Sequence, residues 1–202
     1  MSDNANTLPA IGAAHLGGFY AGQILIDGVL YGLVVAPKDG GEQKRIQWLA
    51  SEERVTGADS YFDGAANTAA MAEAGSPLAT WARRLDLGGQ TDWYVPSQDE
   101  LEIVYRNLKP TTDENYLFGR SGMNVSAVPP THAYSSTEPG QTQVQAFAAG
   151  GEQAFEEAWY WTSTQHAAFG DFAWSQYFSN GYQSICGKSA GLRARAVRRF
   201  VI

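Results

Sequence analysis

Apolar and polar positions alternate with period two near both ends of the chain and recur at helical spacing between them. Residues 19–26 and 29–36 are β-rich runs divided by Asp27-Gly28, a pair that accepts positive φ at both positions, so a tight hairpin is predicted. Residues 37–43 (PKDGGEQ) read as a surface loop. Asp63 predicts the N-cap of a helix over residues 65–74 that Gly75 ends. Ser76-Pro77 opens a second over residues 77–85, with Leu78, Trp81, Ala82 and Leu85 on one face, and Gly88-Gly89 stops it. The clearest local signal follows Trp93. Ser97 and Glu100 have capping-box spacing, Asp99 and Glu102 sit near the positive end of the helix dipole, and Leu101, Val104, Tyr105 and Leu108 form an apolar stripe that Pro110 closes. Capping and dipole complementarity account for these carboxylates without an acid/base role.

Residues 110–157 are rich in Pro, Gly, Ser and Thr and read as a long insertion with a short helix at 141–149; loops of this length carry function or subunit contacts. Strand patterns return at residues 160–164, 174–178 and 193–201. Trp174, Gln176 and Phe178 fall on an inward face, Ser175 and Tyr177 on an outward one. Residues 166–172 and 184–192 lack any period, and 179–181 read as a turn. The terminal strand is expected to pair with the N-terminal hairpin. The whole is an α+β domain over residues 17–202, with two or three helices, preceded by a flexible arm at 1–16.

Composition narrows the function classes. A net charge of −7 argues against nucleic-acid binding, which needs a basic footprint. The basic cluster Arg193, Arg195, Arg198 and Arg199 reads as a solvated edge or as internal ion pairs. One cysteine, Cys186, excludes an intramolecular disulfide, so packing must hold the fold. The start has no basic segment leading an apolar core, and no apolar run is long enough to span a bilayer, so a soluble protein without membrane insertion is expected.

Phosphate-cradling, zinc-protease, dithiol and nucleophile-elbow motifs are missing. His15, His132 and His166 stand apart at no metal-ligand spacing, and Cys186 has only Lys188 as a sequence neighbour that could activate it. Asp59, Asp63, Asp113, Glu114, Asn115 and Asn124 are loop oxygen donors without EF-hand spacing. Glu152, Glu156 and Glu157 read as a solvated acidic patch. The expectation is no metal, no cofactor, no catalytic residue and no enzyme activity; a hydrolase is the weakest alternative.

Several segments together resemble a known family: GGFYAGQILIDGVLYGLVVAPK, DWYVPSQDELEIVYRNLKPTT, YWTSTQ, AWSQYFSNGYQ and RARAVRR. They are similar to the family whose type member is the C-terminal domain of a Legionella collagen-like protein, found in bacterial surface proteins and in phage and prophage structural genes. The resemblance covers residues 17–199. It implies a C-type-lectin-like fold. It also implies kinship with variable proteins of diversity-generating retroelements, where adenine-directed mutagenesis turns AAY codons into NNY codons that cannot encode Lys, Glu, Gln, Trp or Met. Residues 166–172, 184–187 and 189–192, with Ser175, Tyr177 and Tyr182, all fall in the encodable set, whereas Trp174, Gln176, Gln183 and Lys188 fall outside it. The calcium and disulfide motifs of sugar-binding C-type lectins and the paired cysteines of formylglycine-generating enzymes are missing.

The expected function is therefore a phage or prophage receptor-binding protein of tail-tip type, displaying residues 159–202 as a variable surface. Phe169, Phe172, Tyr177, Tyr182 and Ile185 would be its apolar anchors. His166, Asp171, Ser175, Ser184 and Ser189 would adjust polar contacts, with Cys186 and Leu192 in further variable slots. Expected partners are a host cell-surface protein or glycan, other virion subunits, and further copies of the chain, as a trimer. The expected location is the virion, after synthesis in the bacterial cytoplasm, with the cytoplasm or cell surface as alternatives. The competing expectation is a virion assembly or decoration module without a variable site.

Overall fold

Asp27 and Gly28 take φ of 48° and 81°, which turns β2 (Gly18–Ile26) back into β3 (Val29–Val35) as the dipeptide predicts. Residues 8–202 are described, in a computed structural model. On one side of this hairpin the short β1 (Ala14–His15) pairs with β2; on the other, β9 (Val197–Val201) pairs antiparallel with β3, so strands from the two ends of the chain share one sheet in the order β1-β2-β3-β9. Residues 1–7 of the expected arm lie outside the described residues; of its remainder, Ile11 packs on the core beside β1.

The second sheet runs β4-β8-β5-β6-β7, from β4 (Glu42–Gln47), β8 (Gly191–Arg195), β5 (Trp159–Gln165), β6 (Phe172–Tyr177) and β7 (Gln183–Gly187); only the β5–β8 pair is parallel. Three expectations change here. The terminal strand is two strands, because the chain crosses between sheets at Ala196, whose carbonyl accepts from the Ala36 N–H and whose N–H donates to the Gly41 carbonyl. The 37–43 loop is the single turn α1 (Lys38–Gly41) followed directly by β4. Residues 184–192 are not irregular: Gln183–Gly187 and Gly191–Arg195 are strands, the first half-buried on both faces and the second passing from half-buried to buried, and neither shows the alternation that marks a one-sided strand.

Between β4 and β5 in the chain come α2 (Gly64–Glu73), α3 (Pro77–Ala82) and α4 (Gln98–Leu108), of which α4 packs against strands of both sheets. Asp63 Oδ1 accepts from the Ala66 N–H and Ser76 Oγ from the Ala79 N–H, while Ser97 and Glu100 close the reciprocal capping box at the start of α4. Leu101, Val104, Tyr105 and Leu108 are buried, as their spacing predicts. They join Ile24, Leu33, Phe147, Phe155, Tyr160 and Phe178 in the larger core, while Trp48, Met71, Leu78, Val95, Trp161 and Ala194 build a second.

Residues 109–158 contain no helix or strand; the helix expected at 141–149 is a single turn closed by the Phe147 and Ala148 N–H groups on the Val144 carbonyl. Two buried asparagines anchor this stretch instead. Asn115 accepts from Tyr105 Oη and Lys109 Nζ and donates to the Ser135 and Pro139 carbonyls. Asn124 donates to the Asp99 carbonyl and Glu102 Oε2 and accepts from the Ser126 and Ala127 N–H groups. A buried polar group left unmatched costs about 1–3 kcal/mol. Asn124→Ala strands several at once and is expected to lose about 2–4 kcal/mol in urea denaturation. A loss under 0.5 kcal/mol would show that the insertion is held some other way.

Candidate ligand-binding face

The β6–β7 hairpin closes through the turn at Ser179-Asn180-Gly181, where the Tyr177 N–H donates to the Tyr182 carbonyl and Gly181 takes φ of 76°. Register assigns its side chains to faces. Ala173 lies opposite Cys186 and Ser175 opposite Ser184 on one face; Trp174 lies opposite Ile185 and Gln176 opposite Gln183 on the other.

Each face carries a cavity. On the Ser175 face a cleft of about 230 Å³ is bounded by Trp159, Ser175, Ser184, Ile185, Cys186 and Leu192. The Cys186 thiol is pushed up from its usual range by burial, with the Gly187 N–H opposing, so it is not a poised nucleophile. On the Trp174 face a cavity of about 260 Å³ lies between β6–β7 and residues 116–121, with Tyr116, Phe118, Arg120, Trp174, Tyr182 and Gln183 in its walls.

Two strings of rings meet at that second cavity. One runs Phe118–Tyr116–Tyr182–Trp159–Tyr177, with successive centroids 5.5, 4.0, 5.4 and 5.3 Å apart. The other runs Tyr61–Trp174–His166–Phe169, at 6.5, 5.6 and 4.9 Å, and its last two rings stack within 8° of parallel. Arg120 lies over the Tyr61 ring and pairs with Asp99 at 2.7 Å. Trp174 Nε1, in this cavity's wall, is buried without a hydrogen-bond partner among the described residues; so are Oε1 of Gln176, on the same strand, and Oε1 of Gln98, whose Nε2 donates to Gln183 Oε1. The unpartnered indole donor suits a polar guest or ordered water in the cavity.

The residues behind the face are rigidly held. Lys188 is fully buried; its ammonium donates to Gln165 Oε1 and the Glu53 carbonyl and lies 4.4 Å from the Trp48 ring centroid. Burial, with Arg54 adding repulsion and Asp171 opposing, brings its pKa down to about 8. Its amine is thus committed to the framework and not to Cys186. The four arginines near the C-terminus form ion pairs: Arg193 and Arg195 with Glu42, Arg198 with Asp92, and Arg199 with Asp63.

Placement of the expected site residues is uneven. Phe169 is 56 % exposed, and Asp171 and Ser189 are also exposed. His166, Phe172, Tyr177, Tyr182, Ser184, Ile185, Cys186 and Leu192 are half-buried. Ser175 does not face outward: it is 2 % exposed, and its hydroxyl donates to the Ser184 carbonyl beneath the cleft. The set does not form one face. Ser175, Ser184 and Cys186 lie on one side of the sheet, while Phe172 and Ile185 lie on the other. Residues 166–171, expected to be irregular, form a closed loop: the His166 N–H donates to the Phe172 carbonyl and the Phe169 N–H to His166 Nδ1. Residues 116–120 were missed, although Tyr116-Leu117-Phe118 is an apolar triplet in an otherwise polar insertion and Phe118 is 72 % exposed.

Among the described residues, no three His, Cys, Asp or Glu side chains gather to hold a metal, and no helix is long and apolar enough to cross a membrane. A family model described as the Lcl C-terminal domain matches residues 41–198, well over half of the chain. No curated protein matches the sequence.

Proposed function

The chain belongs to the Lcl C-terminal domain family, and on that premise we propose that it is a non-enzymatic binding module presenting the β6–β7 end of its second sheet to a ligand. Membership is consistent with a lectin-like domain of a surface protein. The observation that carries the reading is the convergence of two ring strings on a cavity whose wall includes the unpartnered Trp174 indole N–H. Rigid aromatic rings supply contact area at low entropic cost, and the Arg, Gln and Trp polar atoms would fix orientation. In the fuller form of the proposal the module sits on a phage or prophage particle, where several copies raise avidity for a host surface receptor.

The test incubates labelled full-length protein with a panel of bacterial cells and a glycan array. Tyr182→Ser and Phe118→Ser are expected to weaken any retained binding at least tenfold with near-UV circular dichroism unchanged. Binding indifferent to both variants would move the site elsewhere, and no binding in either format would remove the reading. Diversification has its own genomic test: a near-identical repeat whose differences fall at adenines, beside a reverse transcriptase gene.

An assembly role is favoured by a different observation. Leu117, Phe118, Met123 and Val125 are 50, 72, 46 and 79 % exposed within one stretch of the insertion, an apolar surface that a neighbouring subunit could cover. Light scattering separates the readings: a stable oligomer dispersed by Val125→Glu would favour assembly.

A further inference from the structure

Strand edges in this fold are guarded, with one exception. β1 is two residues long, β9 is bridged on its outer side by Tyr94, whose N–H and C=O pair with Val197, and β4 exposes Lys44 and Arg45. Short strands and charges of this kind block unwanted pairing. β7, the remaining edge, reads Gln-Ser-Ile-Cys-Gly, without charge or proline, and is half-exposed along its whole length.

Its outer backbone is available. The Tyr177 N–H to Tyr182 carbonyl bond fixes the phase of the ladder, so Ser184 and Cys186 bond to β6 while the N–H and C=O groups of Gln183 and Ile185 point away from the sheet. The Phe172 and Trp174 carbonyls agree with this phase, since they accept from the His166 N–H and Thr162 Oγ1 on the β5 side. Among the described residues, no backbone hydrogen bond from beyond the hairpin reaches Gln183 or Ile185. The cleft beside Ser184 and the cavity beside Gln183 lie on the two faces of this same edge.

We propose that β7 receives an extended peptide segment of a partner protein, which adds as a sixth strand and sends alternate side chains toward the two cavities. Main-chain bonds would supply affinity and the cavities selectivity. Glu52, Glu53 and Asp171 are exposed near the Gly187 end, against the exposed cations Arg54 and, beside Gly191, Arg45, and the chain carries −7 overall, so the peptide should be apolar at alternate positions and basic at the end beside Gly187. This rests on the binding reading above and names its partner class.

The experiment selects random nine-residue peptides displayed on phage against the full chain and remakes the enriched ones synthetically. Enrichment of alternating sequences with Lys or Arg at one end is expected. N-methylation of the peptide amides in one alternating phase should weaken binding at least tenfold, and methylation in the other phase should have little effect. Ile185→Pro, which removes an outward N–H, should weaken binding as strongly; should it fail to fold, Ile185→Lys and the methylated peptides carry the test. Absence of enrichment, or binding indifferent to methylation phase and to Ile185→Lys, would overturn the proposal. Ile185 amide protection that rises with protein concentration alone would overturn it in favour of a second copy. Cell or glycan binding that Phe118→Ser abolishes while no peptide is enriched would remove the edge proposal and leave the binding reading standing.

Discussion

Arg195→Met is expected to cost about 3–5 kcal/mol of unfolding free energy, the range for breaking a buried ion pair from one side. Arg195 is 1 % exposed and joins three parts of the fold. Its Nε donates to the Ala36 carbonyl at 2.9 Å, its two terminal nitrogens to the Gln153 carbonyl and Oε1 at 2.6 and 2.9 Å, and its guanidinium lies 4.7 Å from the Phe155 ring centroid. Burial lowers its pKa to about 10, with Glu42 opposing, so it stays charged at neutral pH. Methionine restores the aliphatic volume but leaves two carbonyls unmatched and Glu42, which burial pushes upward, with Arg193 as its remaining close cation. Arg195→Lys should recover less than half of the loss, because a point cation cannot serve three acceptors in one plane. Adding Glu42→Gln to Arg195→Met should return at least 1 kcal/mol, as contacting sites do when they couple. Urea denaturation at pH 7 reads all three, and a loss below 1 kcal/mol for Arg195→Met would refute the assignment.

What was legible in the sequence was local. The Asp27-Gly28 turn, the Asp63 and Ser76 caps and the Ser97–Glu100 box each depend on residues within three positions of one another, and each formed. The inward assignments from alternation succeeded at Gln176 and Phe178, both fully buried, but not at Trp174, which is half-buried in the cavity wall. The sheet switch at Ala196 was illegible because RARAVRR alternates straight through it; the change is made by the Ala36 and Gly41 backbones. β7 was illegible because an edge strand half-exposed on both sides has no binary pattern to show.

The burial of α4's acidic face was hidden for another reason. Asp99 and Glu102 looked like dipole partners in water, yet their relative exposures are 3 % and 2 %. Arg120, Asn124, Ser126 and Tyr134, which satisfy them, lie more than 20 positions away in a segment without periodicity. The same segment brings Tyr116 and Phe118 to the cavity, so the part of the site that was missed and the part of the scaffold that was missed are one stretch of chain. A residue there can change the binding face only within the limits set by Asn115 and Asn124 on either side of it.

Lowering the pH from 8 to 5 is expected to stabilise the protein through Glu100, against the usual direction for carboxylates. Glu100 is fully buried and accepts from the Ser97 N–H, the Gly64 N–H and Tyr94 Oη at 2.7, 3.2 and 2.6 Å, so one carboxylate serves the starts of both α4 and α2. Burial raises its pKa from 4.5 to about 7, outweighing the hydrogen bonds from Tyr94 and Ser97 and the charge of Arg199. A folded pKa above the unfolded one means that folding takes up a proton between them. The contribution is complete below about 4.5 and is lost as the pH rises through about 7. Linkage bounds it at about 3 kcal/mol, at 1.36 kcal/mol per pKa unit. Asp99 and Glu102, also raised by burial, act in the same direction. In Glu100→Gln the amide oxygen can still accept from the two backbone N–H groups while its NH₂ donates to a turned Tyr94 hydroxyl. That variant should fold, and the stability of the natural chain relative to it should rise by about 2–3 kcal/mol between pH 8 and 5. Glu100→Ala leaves three donors unmatched and should lose about 3–5 kcal/mol at every pH. Parallel stability–pH curves for the natural chain and Glu100→Gln would show that Glu100 is ionised throughout, and that its three donors, not burial, set its charge.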